Sequence, residues 1–228
     1  MKQIPLAIGP QNHASFDNFL VGPNAAAVAH LMALGAAAPP VYLWGSGGCG
    51  KTHLLHALAC MVQAAGQRVA WFDALDPQPW EVESGWSLVV VDRCEVLDEA
   101  NQRAAFALFE DASLHGVQWA AAGRWPPVDL PIREDLRTRL AWGHVFALQA
   151  LPDAETRAVL RREADRRGIF LSDEVMGFLL TRFERDLAHL MRLLNRLDNF
   201  GLAHGRRITV PLVRQMLADE GVDEGPEA

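Results

Sequence analysis

The chain has 228 residues and is 50% hydrophobic, which is enough for one domain with its own core and a smaller attachment. Its formal net charge of −7 excludes the overall positive field of a stand-alone DNA-binding protein. The three cysteines lack zinc-ligand spacing and no apolar run approaches membrane-spanning length, so we expect reduced thiols in a cytoplasmic protein.

Proline and glycine interrupt residues 1–15, which we therefore predict to be an exposed arm and not a signal peptide. Within this arm a glutamine and two apolar side chains have a spacing that an extended peptide could place in a groove: Gln3, Leu6 and Ile8. A frayed terminus without a role is the alternative, and spacing alone does not separate the two.

The segment FDNFLVGPN leads into the first predicted helix, which we expect over Asn24–Leu34. Asn24 is a favourable residue type for the helix N-cap. The aromatic side chains of Phe16 and Phe19 could pack beside an adenine ring or seal the edge of a sheet, and both interpretations stay open.

The stretch from Val41 to Leu58 reads as an apolar strand, a glycine-rich turn and a helix. Four residues fill the phosphate-loop pattern of G, four residues, G, K and then S or T: Gly45, Gly50, Lys51 and Thr52. Such a loop directs backbone N–H groups and a helix N-terminus at phosphate oxygens, with the lysine on the terminal phosphates and the threonine on Mg²⁺. The alternative is a glycine turn that matches the pattern by chance.

Two further strands are predicted over Arg68–Phe72 and Ser87–Val91, and the second ends at Asp92. An acid at the carboxyl end of such a strand holds the Mg²⁺ water shell in phosphate-loop proteins, so Asp92 is the predicted carboxylate for the metal. Many ATPases place a second acid next, to polarise the attacking water, whereas this chain has Arg93. Glu95 lies two positions further on, and we expect slow hydrolysis at this site.

The pattern continues with a helix over Ala100–Leu114, a strand over Val117–Ala122, a short helix over Asp135–Leu140 and a strand over Val145–Leu148. The fourth strand ends in Gly123, where related ATPases carry a polar sensor of the γ-phosphate. Only Arg124 offers a polar group there, and whether it or Glu95 substitutes for the missing groups stays open.

From Pro152 onward the pattern predicts helices alone. They are expected over Asp153–Arg167, from Ser172 as N-cap to Phe183, through the apolar series Leu187 to Leu197, and near Val210–Asp219. The predicted fold class is α/β, a phosphate-loop core with a five-stranded parallel sheet followed by a small all-α lid. The expected domains are an arm at 1–15, the core at 16–150, the lid at 151–220 and an acidic disordered tail at 221–228.

The chain resembles the AAA+ family of the replication initiator DnaA, and within it the short Hda-like proteins. The resemblance lies in GKTHLLHA at the phosphate loop, FDNFLVGPN at the nucleotide-entry region and TRLAWG at the arginine-finger box, and it covers residues 14–218. The arm QIPLAI is similar to the peptide by which Hda-like proteins bind the sliding clamp. The resemblance does not extend to the initiator's amino-terminal oligomerisation domain or carboxy-terminal DNA-binding helices, so we expect neither in this sequence.

The resemblance implies roles for individual residues. It assigns the nucleotide to Asn24, Gly45, Gly48, Gly50, Lys51, Thr52, Asp92 and Arg185, with Mg²⁺ at Thr52 and Asp92. Arg139 becomes an arginine finger, whereas without the family pattern it would be an arginine paired with Glu134 or Asp135 on a surface helix. The resemblance also assigns clamp binding to Gln3, Leu6 and Ile8.

The function implied is regulation of replication initiation. With ADP or ATP and Mg²⁺ bound, the protein would dock on the DNA-loaded clamp and stimulate ATP hydrolysis by DnaA, which inhibits re-initiation. Strong direct DNA binding and membrane binding are not expected, and a homodimer stays open. Two alternatives remain: an autonomous AAA+ ATPase such as a helicase loader, and a non-catalytic adaptor.

Overall fold

Short apolar segments form the strands of a parallel sheet. The computed structural model describes residues 14–35, 38–183 and 187–219. The strands are β1 Val41–Trp44, β2 Arg68–Phe72, β3 Trp86–Val91, β4 Gln118–Gly123 and β5 His144–Ala147. In the described part they form one five-stranded sheet in the order β2-β3-β4-β1-β5, with every neighbouring pair parallel. The carboxyl ends of all strands therefore meet at one edge of the sheet.

Helices cover both faces of this sheet, as a buried parallel sheet requires. The core helices are α1 Ala25–Met32, α2 Lys51–Ala64, α3 Glu99–Leu114 and α4 Glu134–Ala141. Alternate strand residues point to opposite faces: Leu88 and Val90 pack in the cluster that contains apolar residues of α1 and α2. Val89 and Val91 pack in the cluster that contains those of α3 and α4.

The second unit is built of helices in its described part. These are α5 Asp153–Arg166, α6 Asp173–Arg182, α7 Leu187–His204 and α8 Val210–Asp219. On α7 the buried residues Leu190, Leu193, Leu194 and Leu197 recur at spacings of three and four, which puts one apolar stripe into the core of this unit. Ser172 caps α6 as predicted, because its Oγ accepts a hydrogen bond from the N–H of Val175 at 3.2 Å.

The predicted fold class is confirmed, since a five-stranded parallel sheet is followed by a helical unit. By its contacts the chain divides into two compact units, and the sequence boundary between the core and the helices that follow it lies between Ala150 and Leu151. The strand over Arg68–Phe72 has the predicted bounds. Residues 1–13 of the predicted arm at 1–15, and the whole predicted tail at 221–228, lie outside the described residues. Within the described part, no helix is both long and apolar enough to cross a membrane.

Asn24 is the N-cap residue of α1, as predicted, but its side chain does not cap the helix. A short 3₁₀ helix precedes α1, so the backbone at Asn24 has φ −94° and ψ 17° instead of the extended conformation of a capping residue. Its side chain makes no capping hydrogen bond. Instead the Nδ2 group donates to the carbonyl oxygen of Gln149 and Oδ1 accepts from the N–H of Gln149, both at 2.9 Å. Asn24 thus fastens the start of α1 to the segment after β5.

Candidate functional site

The loop between β1 and α2 has no room for side chains at two of its glycines. A Cβ atom at Gly45 would lie 2.4 Å from the carbonyl oxygen of Leu148. At Gly50 it would lie 2.5 Å from the ring of Phe19, and the backbone there has φ +97°. Gly48 also adopts a left-handed conformation, with φ +73°. These positions therefore require glycine for steric and conformational reasons.

Lys51 opens α2 and places its charge on the loop. Its Nζ donates to the carbonyl oxygens of Gly45 at 2.7 Å and Ser46 at 2.8 Å. No side chain caps the amino-terminal end of α2, where Gly50 is the N-cap. The unpaired amides and the positive end of the helix dipole therefore add to the charge of Lys51. This arrangement fits the phosphates of a nucleotide.

Thr52 and Asp92 come together from α2 and the end of β3. The hydroxyl of Thr52 donates to Oδ2 of Asp92 at 2.7 Å, and the N–H of Arg93 donates to Oδ1 at 2.8 Å. Asp92 is only 4% exposed. Hydroxyl and carboxylate oxygens suit Mg²⁺, which takes few protein ligands and completes its shell with phosphate oxygens and water. Accordingly, no cluster of three or more His, Cys, Asp or Glu side chains converges on a metal site in the described residues.

Arg93 occupies the position of the expected second acid, and its side chain forms an ion pair with the residue that follows the neighbouring strand β2. It has a left-handed backbone with φ 52°, and its Nη2 lies 2.6 Å from Oδ2 of Asp73, just after β2. A hydrogen bond from the N–H of Leu75, together with Arg93, lowers the pKa of Asp73, and Asp73 in turn raises the pKa of Arg93. The residue next to Asp92 is thus a paired cation, with no carboxylate to polarise water.

A tyrosine hydroxyl fills the end of β4. Tyr42 is 1% exposed, and its hydroxyl donates to the carbonyl oxygen of Trp125 at 2.9 Å; burial raises its pKa. A Cβ atom at Gly123 would lie 2.1 Å from this hydroxyl oxygen. Oε2 of Glu95 accepts a hydrogen bond from the N–H of Arg124 at 3.1 Å. Glu95 therefore lies at this strand end, where Gly123 has no room for a sensor side chain.

Arg139 lies in the last turn of α4 and is 40% exposed at its side chain. Its Nε is 2.8 Å from Oε1 of Glu110 on α3, and its guanidinium carbon is 5.9 Å from the centre of the Phe106 ring. The alternative partners named from the sequence, Glu134 and Asp135, are therefore wrong. Asp135 is taken by Arg133, whose Nε and Nη2 bond its two carboxylate oxygens.

Several predicted site residues are not placed by the structure. Arg185, the predicted second sensor, and Gln3, Leu6 and Ile8 of the arm lie outside the described residues. The described residues do bring Gly45, Gly48, Gly50, Lys51, Thr52 and Asp92 to one edge of the sheet. Asn24 bonds to backbone and its assignment to the nucleotide stays a prediction.

Sequence reasoning missed Tyr42, Asp73 and Glu110. Tyr42 carried a usable signal, because it is the one tyrosine in the chain and falls in a buried apolar strand, where its hydroxyl needs a hydrogen-bond acceptor. The sequence gives no comparable signal for Asp73 and Glu110, since their arginine partners lie 20 and 29 positions away.

Two family models match the sequence. The model described as Hda, lid domain, matches residues 153–217, and the model described as the bacterial DnaA ATPase domain matches residues 11–75. The second match includes the phosphate loop and the segment before it. The first falls within the helical unit.

Solved structures share the fold. Domain III of the replication initiation protein DnaA from Thermotoga maritima is 21% identical with a TM-score of 0.74, over 95% of this chain and 98% of that one. AMPPCP-bound DnaA from Aquifex aeolicus is 23% identical with a TM-score of 0.66, over 84% and 66%. The RuvB Holliday junction branch migration motor of Thermotoga maritima is 19% identical with a TM-score of 0.65, over 92% and 73%. The family matches and this common fold identify the chain as an AAA+ protein related to DnaA and Hda.

Proposed function

We propose that this protein regulates replication initiation by stimulating ATP hydrolysis on DnaA. One observation carries the proposal: the residues that would hold a nucleotide converge, whereas the position after Asp92 is Arg93 and is paired with Asp73 at 2.6 Å. A chain with this arrangement is suited to keep a nucleotide while acting on the nucleotide of another subunit. We expect its own hydrolysis to be slow.

The nucleotide is proposed to be ADP or ATP with Mg²⁺. Lys51 would bind the terminal phosphates, while Thr52 and Asp92 would hold the metal, which supplies charge neutralisation between the phosphates. The fit of the loop supports this proposal, since Gly45 and Gly50 leave no room for a side chain and no side chain caps the start of α2. DnaA of Aquifex aeolicus has been solved with AMPPCP bound, and a replication initiator DnaA has been solved with AMPPCP and single-stranded DNA. The net charge of −7 argues against equally strong direct DNA binding here.

Arg139 is proposed to act as an arginine finger in trans. Its side chain is accessible, and a guanidinium presents a planar set of donors that matches phosphate oxygens. An arginine supplied by a partner stabilises charge on the transferring phosphoryl group, with a contribution of about 10³ to 10⁵ in rate. Docking on DnaA would need to bring Arg139 to within hydrogen-bond distance of the γ-phosphate.

The arm is proposed to bind the DNA-loaded sliding clamp through Gln3, Leu6 and Ile8, and Arg185 to contact the bound nucleotide. Both assignments rest on the resemblance to Hda-like proteins. Deleting residues 2–8 is expected to abolish clamp pull-down while leaving nucleotide binding intact. Unchanged clamp binding by the deletion variant would refute the role of the arm.

A single assay separates the proposed function from its two alternatives. Phosphate release is measured with the protein alone, with ATP-loaded DnaA, and with DnaA plus clamp on DNA. We expect release in the presence of DnaA to rise, Arg139→Ala to abolish the rise, and the control Arg137→Ala on another face of α4 to retain it. Substantial release by the isolated protein would favour an autonomous ATPase. A stable complex with no added release would favour a non-catalytic adaptor.

A further inference from the structure

One face of α3 contacts both ends of α4. Gln102, Phe106 and Glu110 are spaced by four residues, so they lie along one side of the helix. Oε1 of Gln102 accepts a hydrogen bond from the N–H of Arg133, the N-cap of α4, at 2.9 Å. Phe106 and Glu110 contact Arg139 in its last turn. The helix that carries Arg139 is thus fastened at its start and its end to α3.

The ion pair between Glu110 and Arg139 contributes little to the free energy of unfolding. Its partners are exposed, with 40% of the Arg139 side chain and 48% of the Glu110 side chain accessible, and exposed ion pairs are weak. The buried side chains of Leu136 and Leu140, at 1% and 3% exposure, already fix α4 in the core cluster. A need for stability therefore does not account for a carboxylate at position 110.

The geometry of the pair suits the presentation of a guanidinium. The carboxylate lies 2.8 Å from Nε, the guanidinium nitrogen nearest the backbone, and the Phe106 ring lies at 5.9 Å from the guanidinium carbon. An arginine held at Nε can still offer its two terminal amino groups as a fork to a phosphate. A long side chain that is already ordered also loses less rotamer entropy on binding.

We propose that Glu110 is the positioning residue for Arg139: it orients the guanidinium toward the γ-phosphate of a nucleoside triphosphate bound to a partner AAA+ subunit. The proposal rests on the proposed function of Arg139. Glu110 itself does not touch the nucleotide. Its loss should therefore lower the maximal rate of stimulated hydrolysis without changing the concentration of protein that gives half of that rate.

The test measures phosphate release from ATP-loaded DnaA against increasing concentrations of Glu110→Ala, Glu110→Gln and the control Asp111→Ala. Asp111 is the neighbouring carboxylate on α3, but it pairs with His115 of the same helix. We expect Glu110→Ala to lower the maximal rate about two- to fivefold, the range of an exposed ion pair. Glu110→Gln retains an oxygen acceptor for Nε and should keep the parental rate, as should Asp111→Ala.

A parental or higher rate for Glu110→Ala would overturn the inference, and so would an equal loss in Glu110→Gln. If Arg139→Ala abolishes stimulation while Glu110→Ala leaves it intact, the positioning role alone fails. If Arg139→Ala stimulates as the parent does, the proposed function fails first. A ¹⁵N spectrum of the free protein, with the Nε–H signal of Arg139 identified from Arg139→Lys, should change with Glu110→Ala and not with Asp111→Ala. An unchanged signal would exclude the contact in solution.

Discussion

Gly123→Ala should destabilise the core, because the position of the added methyl group is already occupied. Its Cβ atom would lie 2.1 Å from the hydroxyl oxygen of Tyr42 and 3.2 Å from the ring carbon that bears it. The side chain of Tyr42 has no space to move aside, since the residue is 1% exposed and its hydroxyl donates a hydrogen bond to the carbonyl oxygen of Trp125. Overpacking of this kind costs about 1 to 3 kcal/mol.

The cause can be isolated with a double-mutant cycle. Tyr42→Phe removes the hydroxyl and one hydrogen bond, at a cost of about 1 kcal/mol, and it also removes the atom nearest to the new methyl group. The double variant should therefore be more stable than the sum of the single changes predicts, by about 1 kcal/mol or more. All seven tryptophans lie between residues 44 and 142, so fluorescence during urea unfolding reports on the core. Additive costs would refute the steric explanation for the missing sensor.

Three other changes test local features of the site and the lid. Thr52→Ala should abolish the gain in nucleotide affinity that Mg²⁺ gives over EDTA, while Thr52→Ser keeps the hydroxyl and the gain. Ser172→Ala removes the cap of α6 and should lower the free energy of unfolding of the lid by about 1 kcal/mol, measured by circular dichroism in urea. Hydrogen bonds from Arg166 and Arg167 lower the pKa of Glu163 from 4.5 to about 2. Glu163→Gln should therefore destabilise the lid at pH 7, and the difference should shrink as pH falls from about 4.5 toward 2.

The elements that sequence reasoning located are those whose signal is local. The strand over Arg68–Phe72 is a short apolar run between polar residues, and the helix over Val210–Asp219 repeats its apolar residues at helical spacing. The signal of the phosphate loop is also local, because its glycines, Lys51 and Thr52 lie within a stretch of eight residues. Asp92 could be assigned to the same site from the sequence, because the carboxyl ends of the strands in a parallel sheet lie at the edge where the phosphate loop lies.

The features that sequence reasoning missed depend on contacts between distant segments. Asn24 has the residue type of a cap, but the two polar atoms of its amide group bond a residue 125 positions away. Arg139 has acidic residues close by in sequence, yet it pairs with Glu110 because α3 packs beside α4. Residue type and spacing do not specify such partners, since they follow from how the helices and strands are placed in the fold.

Placing an acid at position 93, as in Arg93→Asp, should not by itself enable fast ATP hydrolysis at this site. The left-handed backbone at Arg93 is a conformation that aspartate tolerates, so the substituted residue should keep the hydrogen bond from its N–H to Asp92. The end of β4 would also remain filled by the hydroxyl of Tyr42, which leaves Gly123 no space for a sensor side chain. Phosphate release by isolated Arg93→Asp should therefore equal that of the parent. A rise of about 100-fold, the lower end of what a general base contributes, would show instead that the missing acid alone keeps this site from hydrolysing ATP.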